Sequence, residues 1–221
     1  MDTVIFFGYT AAYLALLVWG CVLLARRGRV DASAIPLLVI AGLVYDNTVI
    51  ASGKWIGEGP LLEALSFGRF WIHAIVTPLL VVWAWDACRR AGARWAATLA
   101  AAIVAIVFAV ALMVLEYVTV LAGLQIEAGE EYGVLSYGNA EAASGPPLMV
   151  LFVAAALLIA GIVVWVKQKS PVLTIGTVLM IIGSAVSIPV ESGAVTNAFE
   201  LVLLTSIVWT TARQDALERR R

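Results

Sequence analysis

Leu43-Val44-Tyr45-Asp46-Asn47-Thr48-Val49-Ile50-Ala51-Ser52-Gly53-Lys54-Trp55 sets an acid and an amide side by side within a long apolar run. The chain around it has 221 residues, of which 62% are hydrophobic and 13% charged, with a mean hydropathy of +0.99. Soluble globular chains are nearer ~45–50% apolar and ~25% charged. The composition therefore indicates an integral membrane protein. Asp46 then sits at bilayer depth, where an ionisable side chain costs at least ~2.5–3.5 kcal/mol and usually has a partner or a function.

A spanning helix needs about 20 mostly apolar residues. Seven segments reach that length, so the expected fold is all-α: one polytopic domain, residues 1–221, of seven transmembrane helices. The first runs from Val4 to Ala25 and the second from Ala34 to Ile56, broken by Gly57-Glu58-Gly59-Pro60. Leu61 to Ser66 reads as a re-entrant or interfacial turn. The third span covers Arg69 to Arg90. The fourth begins at Trp95 and continues past Glu116 towards Leu124. The fifth runs from Pro146 to Val166, the sixth from Pro171 to Glu191 and the seventh from Asn197 to Arg213. Residues 127–145, with Glu127, Glu130, Glu131 and Glu141, form one long polar loop. Loops above ~12–15 residues tend to be lids or disordered.

With seven spans, Arg26, Arg27, Arg29, Arg89, Arg90, Arg94, Lys167, Lys169, Arg213 and Arg219 to Arg221 share one side of the membrane, and Lys54 and Arg69 lie opposite. The positive-inside rule makes the arginine-rich side cytoplasmic and puts the N-terminus and the long loop outside. Met1-Asp2-Thr3 lacks the positive start of a cleaved signal peptide, so the first span is read as permanent. A net charge of −1 gives no sign of a nucleic-acid partner. Cys21 and Cys88 offer no metal-ligand spacing.

In that topology the polar intramembrane residues fall towards the outer face. They are Asp46 and Asn47 on the second helix, then Arg69, His73 and Thr77 at i, i+4 and i+8 on the third. Glu116 follows on the fourth, Glu191 on the sixth, and Asn197 and Glu200 on the seventh. Polar side chains also hold membrane helices together, at about 0.6 kcal/mol per hydrogen bond, and those near helix ends can reach water. This plainer reading applies most to Arg69, Glu191 and Asn197. Tyr45, Trp55, Trp71 and Tyr117 accompany the cluster as an interfacial aromatic belt or as a pocket wall.

The last helix has no lysine for a retinal Schiff base, and the single histidine excludes a multi-histidine zinc site. No aspartate-rich, phosphate-loop or nucleophile-elbow motif occurs. Carboxyl groups, one histidine and aromatic rings remain. In an apolar cavity a carboxylic acid can protonate a lipophilic alkene or epoxide, and a second group can take a proton back.

Tyr45-Asp46-Asn47-Thr48-Val49-Ile50-Ala51-Ser52-Gly53-Lys54-Trp55 resembles the W-D-N-x-x-V-x-x-G-x-W stretch of the small membrane-integral lycopene cyclases. Pro60-Leu61-Leu62-Glu63-Ala64 is similar to their P-L-E-E-Y segment but lacks the paired glutamates. The resemblance covers about a quarter of the chain. It implies a metal-free, cofactor-free, acid-initiated cyclase of an isoprenoid, and the lost glutamate pair leaves only the reaction class, not lycopene. On this reading Asp46 or Glu116 donates the proton and Asn47 orients it. Glu200, Glu191 and His73 serve as base or electrostatic stabiliser. Tyr45, Trp55, Arg69, Trp71, Tyr117 and Asn197 contact the substrate. The expected partners are an isoprenoid or lipid and the membrane itself, and the expected location is a bacterial or archaeal plasma membrane. The competing readings are a proton-coupled transporter and a non-catalytic assembly subunit.

Overall fold

In a computed structural model, which describes residues 2–140, 147–185 and 193–220, the Tyr45-Asp46-Asn47 stretch lies on α2, Ile35–Ile56. Pro36 occupies the first turn, where its missing N–H would have had no partner anyway. The helix stops at Gly57, whose φ of 79° is left-handed and whose N–H returns to the Gly53 carbonyl. α1, Asp2–Arg27, packs antiparallel to it.

The next span differs from the sequence expectation. Leu61 to Ser66 are not a re-entrant turn but the opening turns of α3, Pro60–Val76. Pro60 starts the helix immediately after Gly59, and Leu62 and Ser66 are fully buried. The break therefore takes three residues rather than twelve. A single 3-10 turn, Thr77–Leu79, links α3 to α4, Leu80–Arg90. Pro78 lies in that turn and cannot donate the hydrogen bond that a continuous α-helix would require.

α5, Leu99–Glu116, is capped by the Thr98 hydroxyl, which accepts from the Ala101 N–H, and it unwinds into a π-turn at Tyr117–Leu121. α6 covers Leu148–Gln168, α7 Val172–Ala185 and α8 Gly193–Glu218. Among the described residues six helical segments are long and apolar enough to cross a membrane, including Pro60–Arg90 as one span; α7 is shorter. This is a helical membrane protein. Its valines and isoleucines on α5, such as Val104 at 66% exposed and Val107 at 60%, point away from the bundle as lipid-facing residues do.

The polar segment after α5 is a second departure. Instead of a structureless loop, Ile126–Glu131 (β1) and Val134–Asn139 (β2) pair as an antiparallel hairpin. Tyr132 and Gly133 turn it with φ of 48° and 86°, the double positive φ that matches strand twist in two-residue hairpins. Residues 141–146 lie outside the described residues. β2 lies on α2 and α3. Val134 packs with Phe6, Ile50, Ala51 and Ala194, and Tyr137 with Val49 and Leu62. Thr3 donates to the Gly133 carbonyl at 2.7 Å, and Lys54 pairs with Glu130 at 2.6 Å.

At the opposite end the C-termini of α1, α4 and α8 converge. Asp215 takes Arg90 at 2.5 Å and Arg27 at 3.3 Å, and Glu218 takes Arg90 at 2.7 Å. The bundle thus has a hairpin end and an arginine-rich end.

Candidate functional site

Asp46 lies midway along α2, and Arg69 lies on α3, which returns beside it after the short Gly57–Gly59 turn. Arg69 donates its Nε–H to Asp46 Oδ1 at 2.6 Å, with the two side chains 16% and 23% exposed. A charge-assisted hydrogen bond of that length is among the stronger ones available in a bundle. One turn further along α3 stands His73, whose Nδ1 is 3.3 Å from Thr77 Oγ1. α8 adds Glu200, which has no hydrogen-bond or ion-pair partner among the described residues.

These four side chains line a cavity of about 90 Å³. The rest of its described wall is almost wholly apolar. Val39, Gly42 and Leu43 come from α2, Val153 and Leu157 from α6, Met180 from α7 and Leu204 from α8. The chamber is polar towards the hairpin end and greasy towards the arginine-rich end. At ~10–15 Å³ for each water, it has room for several waters or one short hydrocarbon segment. It is below the ~300–1,000 Å³ of sites that enclose a whole drug-sized ligand.

Of the residues singled out in the sequence, Asp46, Arg69, His73 and Glu200 are brought together. Glu116 is not; it sits half-buried at the end of α5, beside the Trp71–Tyr117 ring contact at 6.1 Å, and does not line this cavity. Asn47 does not turn to Asp46. Its amide donates to the Leu43 carbonyl at 2.9 Å and to Asn197 Oδ1 at 2.8 Å. Asn197 donates in turn to the Gly193 carbonyl, and the Tyr13 hydroxyl donates to the Asn197 carbonyl. Asn47 and Asn197 thus tie α2 to α8.

Tyr45 ties α2 to α3, its hydroxyl donating to the Leu65 carbonyl at 2.8 Å. Trp55 is 70% exposed and rests on Phe7, with ring centroids 5.6 Å apart. Glu191 lies outside the described residues. The α6 wall had no counterpart in the sequence reading, because α6 is apolar on every side and its pattern carries no rotational phase.

A second void, of about 390 Å³, opens beneath the hairpin. Phe6, Ile50, Asp2, Glu127, Val134 and Ser136 are among its lining, and Arg69 is shared with the inner cavity. Arg69 therefore borders both the apolar chamber and the larger void under the hairpin. No family model, curated protein or solved structure matches the chain.

Proposed function

We propose that this protein is a membrane-embedded, acid-initiated cyclase acting on an isoprenoid or related lipophilic olefin. The observation that carries the reading is one apolar cavity that collects Asp46, Arg69, His73 and Glu200 from three helices. Glu200 is the proton donor, because Asp46 is already matched by the Arg69 guanidinium and Glu200 faces the cavity with no cation beside it. Its O–H bond breaks as a C–H bond forms on the alkene. The resulting carbocation is captured by a second double bond of the same chain, closing a ring. His73 removes a proton from the adjacent carbon and releases it to solvent, and Glu200 is reprotonated from solvent, so that the product is an isomer of the substrate. The size of the cavity supports a short chain or chain segment, not an entire carotenoid.

In this reading seven helices cross the membrane, with α7 as the sixth, in a bacterial or archaeal plasma membrane. The arginine-rich end faces the cytoplasm, and the N-terminus and hairpin face outward. A proton-coupled carrier has less support. Beyond His73 towards the arginine-rich end the described lining is Thr77 followed by Val39, Leu80, Leu157 and Leu204, with no ionisable group among the described residues.

The test is incubation of membranes containing the protein in heavy water with a graded series of linear isoprenoid olefins. The expected product is a cyclic isomer carrying one solvent deuteron, lost in Glu200→Gln and in His73→Ala. No deuterated cyclic product from any member of the series, or full turnover by Glu200→Gln, would refute the proposal.

A further inference from the structure

Arg69 touches two spaces at once, and its guanidinium is only partly used. The Nε–H goes to Asp46, while the two terminal amino groups make no hydrogen bond among the described residues. Nor are they sealed in protein, since no Arg69 nitrogen is among the buried unpaired polar atoms. Arg69 lines both the vestibule under the hairpin and the apolar cavity, so a ligand head held by its guanidinium could place its tail in that cavity.

The surrounding charges decide what kind of head group fits. An anion approaching Arg69 meets a guanidinium already matched by Asp46, with Glu127 on the vestibule wall. A cation meets the guanidinium itself at the throat. Burying either charge there without full compensation is costly. A neutral oxygen that accepts a hydrogen bond meets neither penalty and gives the terminal N–H groups a partner. We infer that Arg69 forms a head-group site for an uncharged, oxygen-bearing amphiphile, an alcohol or carbonyl compound whose apolar tail enters the Asp46–His73–Glu200 cavity. The inference rests on the preceding reading only in taking a lipophilic molecule to occupy that cavity; it does not require cyclisation.

Three probes with one isoprenoid tail and different heads test it: geraniol, geranic acid and geranylamine. Each is titrated at neutral pH into the full chain in lipid nanodiscs, and binding is read from the shift in thermal unfolding. Geraniol should bind tighter than the acid and the amine by about tenfold or more, a difference of ~1.4 kcal/mol. Arg69→Lys, which keeps the charge but loses the planar fork, should erase most of that preference. Glu200→Gln should retain it, so a failure of turnover and a failure of head-group recognition are distinguishable. Tighter binding of the acid, tighter binding of the amine, or equal shifts from all three would each overturn the assignment. The comparison in the unsubstituted protein stands whether or not Arg69→Lys folds.

Discussion

Gly53 is the position at which a single methyl group tests how the hairpin is held. It lies on α2, where alanine would ordinarily be preferred to glycine by ~0.5–1 kcal/mol. The structure predicts the opposite sign. A Cβ added at Gly53 would overlap the Leu135 carbonyl oxygen and lie 2.9 Å from its carbon, and Leu62 is the next neighbour at 3.6 Å. Both clashing atoms are backbone, so no rotamer change relieves the overlap. Docking of the hairpin rests mainly on Val134 and Tyr137, at 6% and 8% exposed, worth together at most about 3–6 kcal/mol at ~1.5–3 kcal/mol each. The exposed Lys54–Glu130 pair adds ~0–1 kcal/mol. Since overpacking commonly costs ~1–3 kcal/mol, Gly53→Ala should take a substantial share of the docking energy without unfolding the bundle. Peptides spanning residues 126–139 should then exchange amide hydrogen about 10–100-fold faster, at ~1.4 kcal/mol per tenfold, while peptides from α6 keep their protection. Unchanged or slower exchange of the hairpin, with a raised melting temperature, would mean that helix propensity wins and that the Gly53–Leu135 contact is not as close as described.

Two further outcomes concern the arginine-rich end. Asp215→Asn removes the carboxylate shared by Arg90 and Arg27, leaving their buried guanidinium groups undercompensated. It should lower stability by ~3–5 kcal/mol, read as a fall in the thermal midpoint in detergent; an unchanged midpoint would show that Glu218 or water suffices. Between α1 and α2, burial pushes the Asp31 carboxyl up, but the Ser33 hydroxyl, the Arg27 guanidinium, the Ser33 amide and Arg29 more than reverse this and hold it below the ordinary 3.8. A depressed folded-state value stabilises the fold above about pH 4 and loses that contribution as pH falls through the lower folded value. Asp31→Asn should therefore flatten the acid limb of a stability–pH curve below about pH 4, and an unaltered acid limb would contradict the assignment.

The spans are legible because a run of some 20 apolar residues has few structural uses other than crossing a membrane. The meeting of Arg69 and His73 is legible because residues four apart lie on one helix face. Asn47 shows where such reading fails. Successive helical residues are about 100° apart at 3.6 per turn, so adjacent Asp46 and Asn47 point in different directions; one bonds Arg69 on α3 and the other Asn197 on α8. Glu116 falls outside the described cavity for a different reason: α5 is apolar all round, and no periodicity tells which way its one acid points. The hairpin was hidden because its anchor, Gly53, is 82 residues from Leu135 in sequence and looks like any helix glycine.

The structure also alters what the basic residues say about orientation. Arg27 and Arg90 are enclosed in pairs with Asp215, with side chains only 8% and 3% exposed, so they cannot meet lipid head groups. Arg26, Arg94, Lys167, Lys169, Arg213, Arg219 and Arg220 remain exposed at that end. At the hairpin end Arg69 belongs to the cavity wall rather than to a loop, which leaves Lys54 as the exposed basic residue there among those described. Removing the enclosed arginines from the count on both sides therefore preserves the asymmetry. The proposed cytoplasmic placement of the arginine-rich end thus rests on exposed residues alone, and on that proposal the Arg69 vestibule belongs to the opposite end.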